Sequence, residues 1–291
     1  MKKIGFIDYF LSEWHANNLP AWIENACKRQ GFEYRVAYAW AELDVSPYDG
    51  VTTDEWCAKY GAERCASIDE LCKKSDYLII LSPDNPEKHL RYANAALKYG
   101  KPAYIDKTFA PDFETAKKIF RLAEKYNVPM FTASALGFAD ELNEYTLSVH
   151  SVITTGGGGS LERYCVHQLE MIVRLMGVGA KRVISLSAGG NASAGIDYGG
   201  GRAAVLNYSQ SYNFSVSVRR KENEAAKYSV TTSDFFQNLT NNILELFNTG
   251  KPAFSKEHTL EVMGVRDALL KSQKIPYKWI KVKNQEAIND I

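Results

Sequence analysis

An α/β fold is predicted by two changes of rhythm in the 291-residue chain. In the first half, short apolar runs alternate with amphipathic helical stretches, the pattern of a doubly wound parallel sheet covered on both faces. After about Ala133 the rhythm becomes apolar, polar, apolar, most clearly in Phe214-Ser215-Val216-Ser217-Val218, as a mostly antiparallel sheet with one wetted face requires. The chain is therefore read as two domains: residues 1–133 with the parallel sheet, and residues 134–291 as an α+β domain.

The strands of the first domain are placed at Lys3 to Ile7, Tyr34 to Tyr38, Tyr77 to Leu81, Ala103 to Ile105 and Pro129 to Thr132. The first helix carries Leu19, Trp22, Ile23, Ala26 and Cys27 at helical spacing. Pro20 is expected in its first turn or at a kink. A second helical stretch follows Pro86 and stops at Gly100-Lys101-Pro102, and a third carries Ala116, Ile119, Phe120 and Leu122. In the second domain, Gly156 to Gly159 is a loop leading to a helix with Leu169, Ile172, Val173 and Met176 on one stripe. Strands fill Arg182 to Ser229, with Lys221 to Ala225 connecting two of them. A helix with Phe235, Phe236, Leu239, Ile243, Leu246 and Phe247 ends at Gly250-Lys251-Pro252. A last helix from about Lys256 to Ser272 and a strand at Tyr277 to Val282 follow.

Composition narrows the function classes. Hydrophobic residues make up 45% of the chain, enough to fill a sizeable core. Thirty-five Lys and Arg balance 34 Asp and Glu, so the net charge of +1 offers no basic field for nucleic acid or a membrane surface. No window approaches the roughly 20 apolar residues of a membrane span. Five cysteines without a C-x-x-C pair fit a reducing compartment, so the chain is expected in the cytoplasm. None of the His or Cys residues has zinc spacing, and no metal site is expected.

The chemistry begins where the first strand meets the first helix. A dinucleotide-binding, Rossmann-like turn carries G-x-G-x-x-G, because glycine allows the tight turn and lets the backbone approach the diphosphate. Here those three places hold Asp8, Phe10 and Glu13, with Ser12 between. Two carboxylates at a helix N-terminus, where an anion would otherwise sit, would oppose a diphosphate by about 4 kcal/mol per close pair at an effective dielectric near 20. The second strand shows no acid at its expected end, Glu42 and Asp44 standing only further along.

Four ordered segments resemble the glucose-fructose oxidoreductase, inositol dehydrogenase and MocA family. Ser82-Pro83 with His89, Ala95-Ala96-Leu97 and Gly100-Lys101-Pro102 look like the family's fourth strand and following helix. Asp106-Lys107-Thr108 stands where the family has Glu-Lys-Pro, its catalytic lysine signature; if that geometry needs a cis bond, here it is of the non-proline kind. Gly157 to His167 resembles the glycine-rich turn and helix start that end in the catalytic histidine, and Phe236 to Pro252 with the helix through Arg266 resembles the C-terminal helices. His15 stands where the family often has a histidine after the glycine turn.

The resemblance implies a nucleotide-binding-type first domain, a second domain for substrate and oligomerisation, NAD or NADP as cofactor, and a carbohydrate-like substrate. It makes Lys107 and His167 the catalytic candidates, since a lysine in a buried place or a histidine can take a hydroxyl proton near neutral pH. Arg163, Tyr164 and Glu170 are the substrate-binding candidates. Arg163 stands where the family has an acid, which favours a sugar acid. Asp8, Phe10, Ser12, Glu13, Ser82 and Pro83 occupy the cofactor positions. The family's habit also implies a homo-oligomer. Against an oxidoreductase acting on a sugar, polyol or sugar acid with abnormal or lost NAD(P) binding stand two alternatives: a non-catalytic carbohydrate-binding or regulatory relative, and a non-redox enzyme on a sugar acid.

Overall fold

A computed structural model describes residues 1–145, 149–187 and 191–283. The chain forms two compact units, one of residues 1–132 with 236–254, the other of residues 133–235 with 255–291, of which 284–291 lie outside the described residues.

In the first unit, β1 (Lys2–Asp8), β2 (Tyr34–Ala41), β3 (Glu63–Arg64), β4 (Tyr77–Ile80), β5 (Ala103–Ile105) and β6 (Met130–Phe131) make one parallel sheet. Its order is β3-β2-β1-β4-β5-β6, the doubly wound order whose direction reverses beside β1. Helices α1 (Trp14–Gln30), α2 (Thr53–Tyr60), α3 (Ile68–Lys74), α4 (His89–Ala96) and α5 (Phe113–Lys125) alternate with the strands. In β1 and β4 the residues Ile4, Phe6, Ile7, Leu78, Ile79 and Ile80 are fully buried, so both sheet faces are covered, as the apolar runs required. Leu19, Ile23 and Ala26 of α1 face the core, whereas Trp22 is only half-buried. Pro20 lies in the helix interior, not its first turn. The α4 stretch begins with a 3-10 turn at Pro86–Lys88 and closes on another at Leu97–Tyr99, with Gly100 left-handed at φ 69°.

One sequence boundary was placed at 133/134; the structure adds a return. Helix α7 (Phe235–Thr249) packs with the first unit from Phe236 onward. Phe247 stacks on Tyr77 at 4.7 Å between ring centroids, and Phe236 stacks on Trp22 at 5.0 Å and 9°. These stacked pairs bury large apolar rings, which holds the helix to this unit.

In the second unit, β7 (Ser151–Gly156), β8 (Arg182–Ser185), β9 (Ala192–Gly199), β10 (Arg202–Tyr208), β11 (Ser215–Arg219), β12 (Lys227–Val230) and β13 (Ile280–Lys281) form one sheet, ordered β12-β11-β7-β10-β9-β8-β13. Every pairing is antiparallel except β10 with β7. Residues 188–190 of the expected strand region lie outside the described residues. Helices α6 (Leu161–Met176) and α8 (Lys256–Lys274) cover one face, burying Leu169, Ile172, Val173, Met176, Val265 and Leu269 against Val152, Ala204, Leu206 and Val216. No helix among the described residues is long and apolar enough to cross a membrane.

Candidate functional site

The glycine-less turn folds around its own side chains. Asp8 ends β1, and Glu13 is the N-cap of α1. The Glu13 carboxylate accepts the backbone N–H of His15 at 2.8 Å and that of Ala16. These are the orphan donors on which an anion would otherwise rest. Phe10 is buried, its ring edge-on to Tyr48 at 5.1 Å, and the Ser12 hydroxyl donates to Asp49 Oδ2 at 2.7 Å. Asp8 is 1% exposed; Oδ1 accepts from the Ser82 hydroxyl at 3.0 Å and from Tyr9 N–H at 2.6 Å, while Oδ2 has no partner among the described residues. Ser82 holds a positive φ of 80°, a left-handed conformation that is uncommon for serine. Pro83 beside it is buried.

Electrostatics here differ from the sequence expectation. Burial raises Glu13 to about 8, with the Asp8 charge adding to it, and burial likewise pushes Asp8 well above its ordinary value. Glu13 keeps its proton near neutrality and Asp8 is shifted in the same direction, so the charge repulsion expected of two carboxylates is softened. What opposes a diphosphate is occupancy: the N–H groups of His15 and Ala16 are taken by the Glu13 carboxyl group. The residues at this turn do not fit a diphosphate in its usual place.

An acid does stand at the end of the second strand. Because β2 continues through Ala41, Glu42 follows it directly, and the expectation of no acid there is corrected. Glu42 is engaged by Lys88 at 3.2 Å, by Arg91 and by the Tyr92 hydroxyl. Burial opposes its charge, yet Tyr92, Lys88 and Arg91 together hold it below its usual value. The missed signal was Ala39-Trp40-Ala41, whose alternation continues the strand.

At the carboxyl end of β5, Asp106 is 1% exposed. Its Oδ1 accepts from the Tyr104 hydroxyl at 3.1 Å and from the Lys107 backbone N–H at 2.8 Å, and its Oδ2 binds Nδ1 of His15. Burial pushes its carboxyl upward, but His15, and to a lesser degree Lys107, bring it below the ordinary carboxylate value. The Lys107–Thr108 bond is cis. His89 is fully buried, with its two ring nitrogens at the carbonyl oxygens of Phe109 and Leu81, a packing role.

In the second unit, Ser160 caps α6 by accepting the Arg163 N–H, and this helix presents the remaining candidates. Nδ1 of His167 shares a 2.7 Å hydrogen bond with the Ser134 hydroxyl. Glu170, one turn on, is 3% exposed: one oxygen accepts the Ser134 N–H at 2.9 Å, and the other lies 2.5 Å from Nε2 of His258. Ser134, His167, Glu170 and His258 thus form one connected set. His258 and Ser134 were missed by sequence reasoning, since nothing local links residues 88 and 36 positions from Glu170. The Tyr164 ring lies 5.4 Å from the His167 ring, and Arg163 is exposed. Among the described residues no group of three or more His, Cys, Asp or Glu could hold a metal ion.

A strand order that reverses beside β1, with acid, lysine and serine side chains at the carboxyl ends of β1, β4 and β5, defines a Rossmann-type α/β protein. Residues 48–134 match the family described as "Oxidoreductase family, NAD-binding Rossmann fold", the glucose-fructose oxidoreductase, inositol dehydrogenase and MocA family that the sequence motifs resemble. Among solved structures, the fold is similar to that of a "probable dehydrogenase" from Thermotoga maritima, with TM-score 0.77 and 13% identity, covering 96% of this chain and 98% of that one. An NAD binding oxidoreductase from Klebsiella pneumoniae gives TM-score 0.75 and 14% identity over 97% and 99% of the two chains. The WlbA dehydrogenase from Bordetella pertussis, in complex with NADH and UDP-GlcNAcA, gives 0.71 and 14% over 97% and 99%. A comparison with curated proteins gives no match.

Proposed function

We propose that this chain acts on a small carbohydrate-like molecule, a sugar, polyol or sugar acid, with Lys107 and His167 as proton-transfer groups and with NAD(P) binding much weakened. The observation that carries the reading is the seat of Glu13 on the N-terminus of α1. Lys107 follows a buried strand at its carboxyl end, where open α/β sheets take ligands. His167 is oriented by Ser134, as an acid/base histidine needs. The exposed Arg163 on the turn before His167, with Tyr164 beside the imidazole, favours an anionic sugar. The WlbA dehydrogenase, similar in fold, is in complex with UDP-GlcNAcA, a nucleotide-linked sugar acid, which supports that class.

A second reading, a non-redox enzyme or a binding module on a sugar acid, is favoured by the same Glu13 cap. Calorimetric titration tests the first reading. With NADH and NADPH, the expected result is no saturation below millimolar concentration; with glucuronate, myo-inositol and glucose, saturable binding with glucuronate tightest. Tight nucleotide binding would refute the weakened-cofactor reading, and silence from every sugar would refute the substrate class.

The five cysteines are free, in keeping with a cytoplasmic location. Self-association through the outer face of the second sheet is supported by a cross-strand row, Tyr228, Ser217, Ile153 and Val205, in which Tyr228 and Ile153 are exposed.

A further inference from the structure

Within the first unit, one imidazole is held in an arrangement that neither packing nor helix capping requires. Nδ1 of His15 meets Oδ2 of Asp106, a carboxylate that is 1% exposed and fixed on its other oxygen by the Tyr104 hydroxyl and the Lys107 N–H. A carboxylate only accepts, so Nδ1 carries the hydrogen and the lone pair lies on Nε2. Among the described residues Nε2 has no hydrogen-bond partner, and the side chain is 13% exposed. The imidazole makes T-shaped contacts with two rings, Trp14 at 5.3 Å and Phe236 at 6.0 Å between centroids. Trp14 is 51% exposed, an apolar wall suited to the C–H face of a sugar ring.

We propose that His15 is a further acid/base group, with Asp106 as its positioning residue, and that it takes a hydroxyl proton from a carbohydrate ring resting on Trp14. The substrate class rests on the reading above; the dyad itself stands on its geometry. In the step, the substrate O–H bond breaks and an Nε2–H bond forms. The bonding pair stays on the oxygen as an alkoxide, no electrons are transferred, and the imidazolium charge is balanced by Asp106. The other ionisable groups around this imidazole are Glu13, whose carboxylate holds the His15 N–H, and Asp8 and Lys107, which act on Glu13 and Asp106 respectively.

The test uses the full chain. Nitrogen-15 NMR of the imidazoles, assigned with His15→Gln, should show His15 as the Nδ1–H tautomer, moving toward Nε2–H in Asp106→Ala. Should that variant fail to fold, the wild-type tautomer still decides the point. Diethyl pyrocarbonate should modify His15 at Nε2, and glucuronate or myo-inositol should slow that modification in step with its occupancy measured by calorimetry. An Nε2–H tautomer in the wild type, or an Nε2 that resists the reagent, overturns the dyad. Modification unslowed while sugar is bound overturns the contact with substrate. If no sugar binds, it is the substrate class that fails, and the tautomer alone judges the dyad.

Discussion

Glu13 accepts the N–H of His15 at 2.8 Å, so the first turn of α1 is capped by the residue standing where a dinucleotide-binding turn has its last glycine. A capping carboxylate and a bound phosphate compete for the same N–H groups. Replacing Glu13 by Gly should free them while keeping a tolerated N-cap residue. Anion binding at a helix N-terminus is worth about 0.3 to 2 kcal/mol, so NADH affinity should rise roughly two- to thirtyfold by calorimetry. Asp8→Gly added to it should raise affinity further. Unchanged affinity in both variants would show that something other than the cap excludes the nucleotide.

Glu13 also sets a pH dependence of stability. Its folded pKa of about 8 exceeds the ordinary 4.5, so the folded chain keeps a proton that the unfolded chain releases. That contribution is fully present below 4.5 and is lost as the pH rises to about 8, at roughly 1.4 kcal/mol per unit of pKa difference. Asp8, also raised, acts in the same direction above 3.8; Asp106, depressed, contributes stability that is lost only as pH falls through its folded value, below 3.8. The urea midpoint should therefore fall between about pH 5 and pH 8, and Glu13→Gln should flatten that slope. Equal slopes in the two proteins would mean that burial does not hold the proton on Glu13.

The return of α7 to the first unit can be weighed at Phe247. This ring is 4% exposed and stacks on Tyr77. Phe247→Ala should cost about 3 to 5 kcal/mol in denaturant unfolding, the range for a buried phenylalanine. A loss below about 1 kcal/mol would mean that the helix is only loosely held there.

The parts of this molecule that were legible in the sequence are those governed by local period. Ile4 to Ile7 and Leu78 to Ile80 read as buried strands, and Leu169 to Met176 as a helix stripe, because each follows from the spacing of neighbouring residues. The reach of β2 to Ala41 was lost because Ala39 and Ala41 carry weak strand preference on either side of Trp40, and Glu42 was misplaced with it. The motif residues Lys107 and His167 could be named, but not their partners. Asp106 meets His15 across 91 residues of chain, and His258 meets Glu170 across 88, distances over which no sequence period runs. The protonation of Glu13 was equally hidden, since a carboxylate's charge depends on burial that only the folded chain supplies.

The set around His167 offers a sharper energetic test, because its members are linked in series. Glu170 and His258 form a pair with side chains 4% and 12% exposed. Removing one partner leaves the other desolvated, so Glu170→Ala and His258→Ala should each destabilise strongly, Glu170→Ala by about 3 to 5 kcal/mol. The double variant should lose less than the sum, with a coupling energy of about 1 to 3 kcal/mol in a double-mutant cycle. Glu170 also accepts the Ser134 N–H, and the Ser134 hydroxyl bonds His167, so the loss should travel to the imidazole. Ser134→Ala keeps the Glu170–His258 pair and removes only the hydroxyl. Its stability cost should be about 1 kcal/mol, yet its nitrogen-15 spectrum should show His167 changed as much as in Glu170→Ala. Additive losses in the cycle would mean that Glu170 and His258 do not act as a pair. A His167 signal that follows Glu170 but ignores Ser134 would mean that the hydroxyl does not orient the ring.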